Sequence, residues 1–191
     1  DPKNYDRLIE IYEALAAHGY REVGQEYLQN VLDTAKQLDA YDSGRIYYYL
    51  GEYQKAYLAL DEARDKGGAD SYLYLGRAYA ATGDYNYASS VYNNYLSKQG
   101  PNAEIYNELG LCEMAKKEYQ NALAAFQAGK QIEGNSLMQT LCFNEIVAYE
   151  YLEDYQQAEI LMNAYLQNYP DDQTAIREQQ FLSLSLIHIS E

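Results

Sequence analysis

Residues 69–102 read ADSYLYLGRAYAATGDYNYASSVYNNYLSKQGPN, and residues 103–136 answer them with AEIYNELGLCEMAKKEYQNALAAFQAGKQIEGNS. Eight positions of the first stretch have a counterpart 34 residues later, and in six of them the residue is the same or related. They pair as Tyr72/Tyr106, Leu75/Leu109, Gly76/Gly110, Tyr79/Glu113, Gly83/Lys117, Tyr85/Tyr119, Ala88/Ala122 and Tyr92/Phe126. A fixed period of this length predicts an array of short structural repeats.

One repeat is predicted to be a hairpin of two α-helices. Tyr72, Leu75 and Tyr79 have the spacing of a single helical stripe. Gly83 follows and is predicted to adopt a left-handed conformation that ends this helix, and Asp84 is predicted to cap the next one. Two short helices cannot bury their apolar faces alone, so neighbouring hairpins are expected to stack.

Small residues are expected where the two helices of a hairpin approach each other. Gly76 and Ala88 hold these places in the repeat at 69–102, and Gly44 holds the first of them in the preceding repeat. A large side chain at such a position would push the helices apart.

The residue pattern resembles the tetratricopeptide repeat family: an aromatic residue, Leu-Gly, Tyr, Gly-Asp-Tyr, Ala, a second aromatic residue and a closing Pro. The resemblance implies an all-α fold, an α-solenoid in which antiparallel helix hairpins stack into a right-handed superhelix. The array is assigned to residues 1–182. Its hairpins are placed at about 5–36, 37–68, 69–102, 103–138 and 139–172, with the start of a sixth at 173–182.

The two ends of the chain carry separate expectations. Residues 1–4 resemble the closing turn of a preceding repeat, and the chain opens on Asp1 without a Met, so we expect the array to begin upstream. The final residues, 183–191, resemble the conceptual translation of sequencing-adapter read-through and are interpreted as a non-native tail. A native apolar tail packed on the last helix is the alternative.

Charge and hydropathy exclude several classes of partner. The chain has 29 acidic and 14 basic side chains and a formal net charge of −15. Such a surface repels nucleic-acid phosphates and anionic lipids, so nucleic-acid binding is not expected. Direct membrane insertion of this segment is not expected either, because no apolar run of about 18 residues occurs.

No catalytic constellation is present. The two histidines, His18 and His188, lie in a predicted turn and in the suspect tail, and no phosphate-binding glycine motif occurs. Cys112 and Cys142 are predicted to be buried free thiols, which slightly favours a reducing compartment such as the cytoplasm. We therefore expect a non-enzymatic protein without a cofactor or a metal ion. The 24 tyrosines, against 3 phenylalanines and no tryptophan, are expected mainly to fill the core.

A second stripe on each first helix lies about 100° from the packing stripe. The family resemblance implies that this face lines a concave groove in which peptides bind. Because much of it is apolar, we interpret it as a binding surface. The candidate groove residues are Tyr41, Arg45, Tyr48, Leu73, Arg77, Asn107, Leu111, Met114, Phe143 and Val147.

Two arginines hold equivalent places on this stripe. Arg45 and Arg77 could hold an acidic side chain or a C-terminal carboxylate of a bound peptide. The alternative is that they pair with carboxylates of this acidic chain.

The sequence thus predicts a protein–protein interaction scaffold that binds a peptide or partner segment in its groove. One alternative is a regulatory or substrate-recruiting segment of a larger enzyme or sensor. Another is a self-assembly module that stacks through its terminal hairpins. The oligomeric state is left open.

Overall fold

A computed structural model of the chain describes residues 5–35, 38–64 and 68–189. These residues form eleven α-helices and no strand, so the all-α prediction is confirmed. The helices are α1 (Tyr5–Ala17), α2 (Arg21–Thr34), α3 (Ala40–Tyr49), α4 (Tyr53–Ala63), α5 (Gly68–Ala81), α6 (Tyr85–Gln99), α7 (Ala103–Ala115), α8 (Tyr119–Lys130), α9 (Met138–Tyr151), α10 (Tyr155–Asn168) and α11 (Gln173–Ile189).

The helices group into two compact units, residues 1–91 and residues 92–191. In the N-terminal unit α1 packs on α2, α3 packs on α4, and α5 contacts both α3 and α4. In the C-terminal unit α7 packs on α8, α8 on α9, α9 on α10 and α10 on α11. These helices therefore pack mainly on their neighbours in sequence, and the predicted stacking of helix hairpins is confirmed.

The turn inside each hairpin has one residue in the left-handed region. Gly19, Gly51 and Gly83 have φ values of 85°, 78° and 84° in the first three hairpins, which confirms the prediction for Gly83. Lys117 and Glu153 adopt the same conformation in the next two, with φ values of 64° and 61°. A left-handed residue with a Cβ atom costs about 1–2 kcal/mol. Packing of the two helices therefore maintains this turn even where glycine is absent.

Aspartates cap two of the helices that follow these turns. The Asp84 carboxylate accepts a hydrogen bond from the Tyr87 N–H at 3.1 Å, and Asp154 accepts one from the Gln157 N–H at 3.1 Å. Each bond satisfies a backbone donor that has no partner inside its helix. The cap predicted at Asp84 is thus present.

Glycines allow the helices to approach closely, as expected. A Cβ atom on Gly44 would lie 2.5 Å from Cγ of Leu60, and one on Gly110 would lie 2.3 Å from Cε1 of Phe126. Leu60 and Phe126 are both fully buried. The second helix of each hairpin therefore occupies the space that the glycine leaves free.

Buried tyrosines contribute to the core, but not all tyrosines do. Tyr72 and Tyr92 are among the largest fully buried side chains, and Tyr165 is buried as well. Tyr20 and Tyr151 are instead 60% and 57% exposed. In the C-terminal unit one buried cluster joins α9, α10 and α11, and it consists of Ile146, Ala158, Met162, Tyr165, Ala175 and Leu182.

The last helix, α11, begins at Gln173, where the start of a sixth repeat was expected, and continues to Ile189. The origin of the tail at 183–191 stays a prediction, and its last two residues lie outside the described part, as do residues 1–4 with their expected closing turn. Across the described residues, no helix has both the length and the apolar character that a membrane crossing requires.

Candidate functional site

In the N-terminal unit, Arg45 is engaged within the chain. Its side chain is 7% exposed, and its two terminal nitrogens donate to Asp6 and Asp42 at 2.6 Å each. The guanidinium also lies 4.2 Å from the centre of the Tyr41 ring, whose hydroxyl donates to Asp70 at 3.2 Å. Arg45 therefore pairs with carboxylates of this chain, which is the alternative given above to holding a carboxylate of a bound peptide.

The exposure expected for Leu73 is also wrong, since this side chain is buried. Tyr48 packs edge-on against the rings of Tyr49 and Tyr74, with centroids 5.3 Å and 5.6 Å away. The Arg77 guanidinium lies 5.9 Å from the Tyr74 ring centre. In this unit the predicted stripe is therefore largely an internal packing surface.

A hydrogen-bonded tyrosine network lies beside this surface. The Tyr49 hydroxyl lies 2.5 Å from Oε1 of Glu13, to which it donates, and 3.1 Å from the Tyr74 hydroxyl. Burial raises the pKa of both Tyr49 and Tyr74, so both remain protonated at neutral pH. This network ties α1, α3 and α5 together.

In the C-terminal unit the predicted residues are more accessible. Leu111 is 43% exposed, and Met114, Phe143 and Val147 are half-buried. Asn107 is the exception, because it is buried and its side-chain oxygen accepts a hydrogen bond from Asn144 at 2.9 Å. That bond brings α7 and α9 together, which corrects Asn107 from a ligand-binding residue to one that holds the scaffold. Leu111, Met114, Phe143 and Val147 are called the apolar strip below.

A cavity of about 290 Å³ opens beside Phe143. It is built from three helices and the turn before α11. Its lining residues are Gln139, Thr140, Phe143, Asn144, Tyr165, Asp172 and Thr174. The cavity thus extends the apolar strip with a polar floor that the sequence did not assign to the site.

Hydrogen bonds fix the carboxylate of Asp172 in this floor. The Tyr165 hydroxyl donates to its Oδ2 at 2.6 Å, and the Gln139 amide donates to the Tyr165 hydroxyl at 3.1 Å. Oδ1 accepts from the backbone N–H groups of Thr174 and Ala175 at 3.0 Å and 3.1 Å, so Asp172 also caps α11. The Tyr165 bond and then the Ala175 bond hold the pKa of Asp172 below its usual value. The cavity therefore contains a fixed negative charge.

A second acidic feature involves α9 and α11. Glu150 and Glu178 lie close together, and Oε1 of Glu150 is buried. Burial and, next, the charge of Glu178 raise the pKa of Glu150 to about 7. Glu150 is therefore partly protonated near neutral pH.

Replacing Glu150 by glutamine is expected to change how stability depends on pH. Between the ordinary glutamate value of 4.5 and about 7, the folded protein retains a proton that the unfolded chain has lost. The free energy of unfolding therefore falls as pH rises through this window and is flat above it. Because Glu150 is half exposed, solvent screening reduces the effect of this pKa shift on stability. E150Q should therefore be more stable than wild type by about 1–2 kcal/mol near pH 8 and equal to it near pH 4.

Urea denaturation at several pH values measures this difference. Glu118→Gln, at an exposed position in the turn before α8, is the control and should follow the wild-type profile. An E150Q profile parallel to wild type at every pH would contradict the assignment.

The cysteines differ from their predicted setting in one respect. Both are free, and Cys112 is buried as expected, but Cys142 is only half-buried. It lines a second cavity of about 320 Å³ together with Lys130 and Glu145. Burial raises the pKa of both thiols, that of Cys112 to about 12, which makes them poor nucleophiles. Among the side chains that the structure describes, no group of His, Cys, Asp or Glu has a metal-binding arrangement.

The sequence contained only part of the signal for the cavity. Asp172 stands two residues before Thr174, and this spacing is typical of a helix N-cap. No sequence pattern indicates that Tyr165, which is 26 residues away from Gln139, would complete the floor. The cavity residues outside the predicted stripe could therefore be identified only from the structure.

Comparison with known proteins agrees with this architecture. The family model described as tetratricopeptide repeat matches residues 41–88 and 75–135. No curated protein sequence matches the chain.

Solved structures with the same fold cover most of the chain. A tetratricopeptide repeat protein from Parabacteroides merdae has 18% identity and a TM-score of 0.67, and the match covers 95% of this chain and 73% of that one. TTC0263, a thermophilic TPR protein from Thermus thermophilus, has 16% identity and a TM-score of 0.71. The match covers 94% of this chain and 99% of that one. The Cut9–Hcn1 hetero-tetramer of APC/C contains a chain with 19% identity and a TM-score of 0.62. The match covers 95% of this chain and 40% of that one. At these identities the likeness shows the fold alone.

Proposed function

Since the chain belongs to the tetratricopeptide repeat family, we propose that its C-terminal unit binds a segment of a partner protein along the apolar strip and the adjoining cavity. Repeat arrays of this kind generally act as non-enzymatic scaffolds for protein–protein interaction. The proposal accordingly assigns binding, and no reaction, to this chain.

The observation that carries the proposal is the accessible apolar strip on α7 and α9. Leu111 is 43% exposed, and Phe143 forms a wall of an open cavity. Apolar side chains that adjoin a pocket with a few fixed polar groups are typical of binding surfaces. The strip can bury aliphatic or aromatic side chains of the partner, while the floor of the cavity offers hydrogen-bonding groups for orientation.

A structural neighbour illustrates the proposed class of function. The matched Cut9–Hcn1 structure is described as a hetero-tetramer, so a protein with this fold takes part there in an assembly with another chain. By analogy, the partner of this protein is expected to be a protein segment. Fold likeness alone does not identify that segment.

The test is selection of a library of short random peptides on the purified full chain, followed by affinity measurement on single-site variants. Phe143→Ser is expected to weaken binding of the selected peptides by about tenfold or more, because it removes a large apolar contact at the cavity wall. Leu111→Ser should weaken it as well.

The matched control is Ile160→Ser on α10, the second helix of its hairpin. Ile160 is 55% exposed, so its replacement removes apolar surface outside the strip and should leave affinity unchanged. Equal affinity for wild type and Phe143→Ser would overturn the proposal. Light scattering over a range of protein concentrations separates binding from self-assembly, which should be insensitive to the strip variants if it uses the terminal hairpins.

A further inference from the structure

The cavity beside Phe143 has a chemistry that selects its occupant. We propose that it receives a lysine or arginine side chain of the partner segment, adjacent to the apolar residues that cover the strip. This inference rests on the proposed function and adds the kind of partner that the site prefers: an apolar segment that carries a basic residue.

The sign of the charge in the cavity is the first argument. Of the seven described lining residues, Asp172 is the one that contributes a carboxylate, and none is lysine, arginine or histidine. The chain as a whole has a formal net charge of −15. A basic side chain is therefore attracted at long and at short range, whereas an acidic one is repelled.

The hydrogen-bond geometry is the second argument. Three bonds of 2.6–3.1 Å, from Tyr165, Thr174 and Ala175, fix the Asp172 carboxylate before any ligand arrives. A fourth contact, from the Gln139 amide to Oδ2, is longer at 3.4 Å. An incoming ammonium or guanidinium group can replace this long contact, and a bond between two oppositely charged groups is stronger than one from a neutral amide to the carboxylate.

The aromatic walls are the third argument. The ring centres of Phe143 and Tyr165 lie 5.8 Å apart with an interplanar angle of 61°, and both rings line the cavity. An aromatic face attracts a cation that lies within about 6 Å of its centre. The volume of about 290 Å³ is at the lower limit for small-molecule pockets, so it suits one side chain.

The experiment uses three peptide libraries with the same random apolar positions and one fixed central residue, which is lysine, glutamine or glutamate. On the wild-type chain, the lysine library should yield binders with about tenfold higher affinity than the glutamine library, and the glutamate library should yield the weakest. The preference for lysine should decrease as salt is added, because the ion pair is partly exposed to solvent.

Asp172→Asn is the decisive variant. Asparagine is an N-cap residue as good as aspartate, so α11 should keep its cap while the cavity loses its negative charge. The preference for lysine over glutamine should then fall to about twofold or less, with the affinity of the glutamine peptides retained. Thr140→Lys, at an exposed lining position, is the second variant and should weaken lysine peptides selectively by repulsion.

The outcomes separate this inference from the proposed function. If no library binds, or if Phe143→Ser leaves binding unchanged, the proposed function fails. If peptides bind and depend on Phe143 but show no preference for lysine, the inference alone fails. A preference for lysine that survives in both D172N and T140K also overturns it, since the selecting charge would then lie elsewhere.

Discussion

Replacing Phe126 by alanine is expected to lower the free energy of unfolding by about 3–5 kcal/mol. The ring is fully buried and lies in the cluster that joins α8 to α9. It also fills the space over Gly110, where a Cβ atom would come within 2.3 Å of the ring. Truncation therefore leaves a cavity between two closely spaced helices that cannot collapse easily. Urea denaturation followed by circular dichroism measures the loss.

The contact between Gly110 and Phe126 predicts that the effect of Gly110→Ala on stability changes sign when Phe126 is replaced by alanine. In the wild-type background, Gly110→Ala should destabilise by about 1–3 kcal/mol through overpacking against Phe126, offset by up to about 1 kcal/mol of helix propensity. In the Phe126→Ala background the added methyl group enters vacated space, so only the favourable propensity remains. The substitution should then stabilise the protein by up to about 1 kcal/mol.

Ala124→Gly on the exposed face of α8 is the control for propensity. It should cost about 1 kcal/mol in both backgrounds, because it touches neither partner of the cycle. A cost of Gly110→Ala that is the same with and without Phe126 would show that this ring does not limit the approach of α7 and α8.

The second large effect is expected at Lys130, which pairs with Glu145 between two neighbouring hairpins. The Glu145 side chain is only 6% exposed; one oxygen pairs with Lys130, and the other accepts from the Gln127 amide at 2.9 Å. Lys130→Met leaves this carboxylate buried without its counter-charge. We expect a loss of about 3 kcal/mol in the free energy of unfolding.

Two variants test the cause of this loss. In the double variant Lys130→Met/Glu145→Met the buried charge is absent, so stability should return to within about 1 kcal/mol of wild type. Lys55→Met is the matched control, because Lys55 pairs with Glu52 while 61% exposed, and it should change the stability little. A double variant as unstable as Lys130→Met would mean that lost packing, and not the unpaired charge, is responsible.

The repeat architecture was predictable because its signals are local. Helical stripes, the left-handed turn at Gly83 and the aspartate cap at Asp84 each depend on residues within a few positions of one another. The close approach at Gly44 was predictable for the same reason, since the period places a small residue opposite the second helix. These features follow from helix geometry and from the need of each hairpin to bury its apolar face against a neighbouring hairpin.

The exposure of the second stripe was not predictable, because it depends on neighbours in space. In the N-terminal unit α5 packs directly on α3, and the side chain of Leu73 is buried. Arg45 finds Asp6 at a separation of 39 residues, and Asn107 finds Asn144 at a separation of 37. A stripe drawn on a single helix contains no information about such partners. In the C-terminal unit Leu111, Met114, Phe143 and Val147 remain at least partly accessible, but the cavity beside them could be found only once three helices were placed.

The tyrosine packing described for the N-terminal unit also determines how the protein interacts with light. With 24 tyrosines and no tryptophan, its near-ultraviolet absorption and emission arise almost wholly from phenol rings. Neighbouring ring centres in the cluster are 5.0–5.9 Å apart, close enough for their electronic transitions to couple. The cluster consists of Tyr12, Tyr48, Tyr49 and Tyr74. Fixed side-chain packing gives rise to near-ultraviolet circular dichroism. This cluster therefore gives the folded chain an intrinsic optical signature that needs no added chromophore.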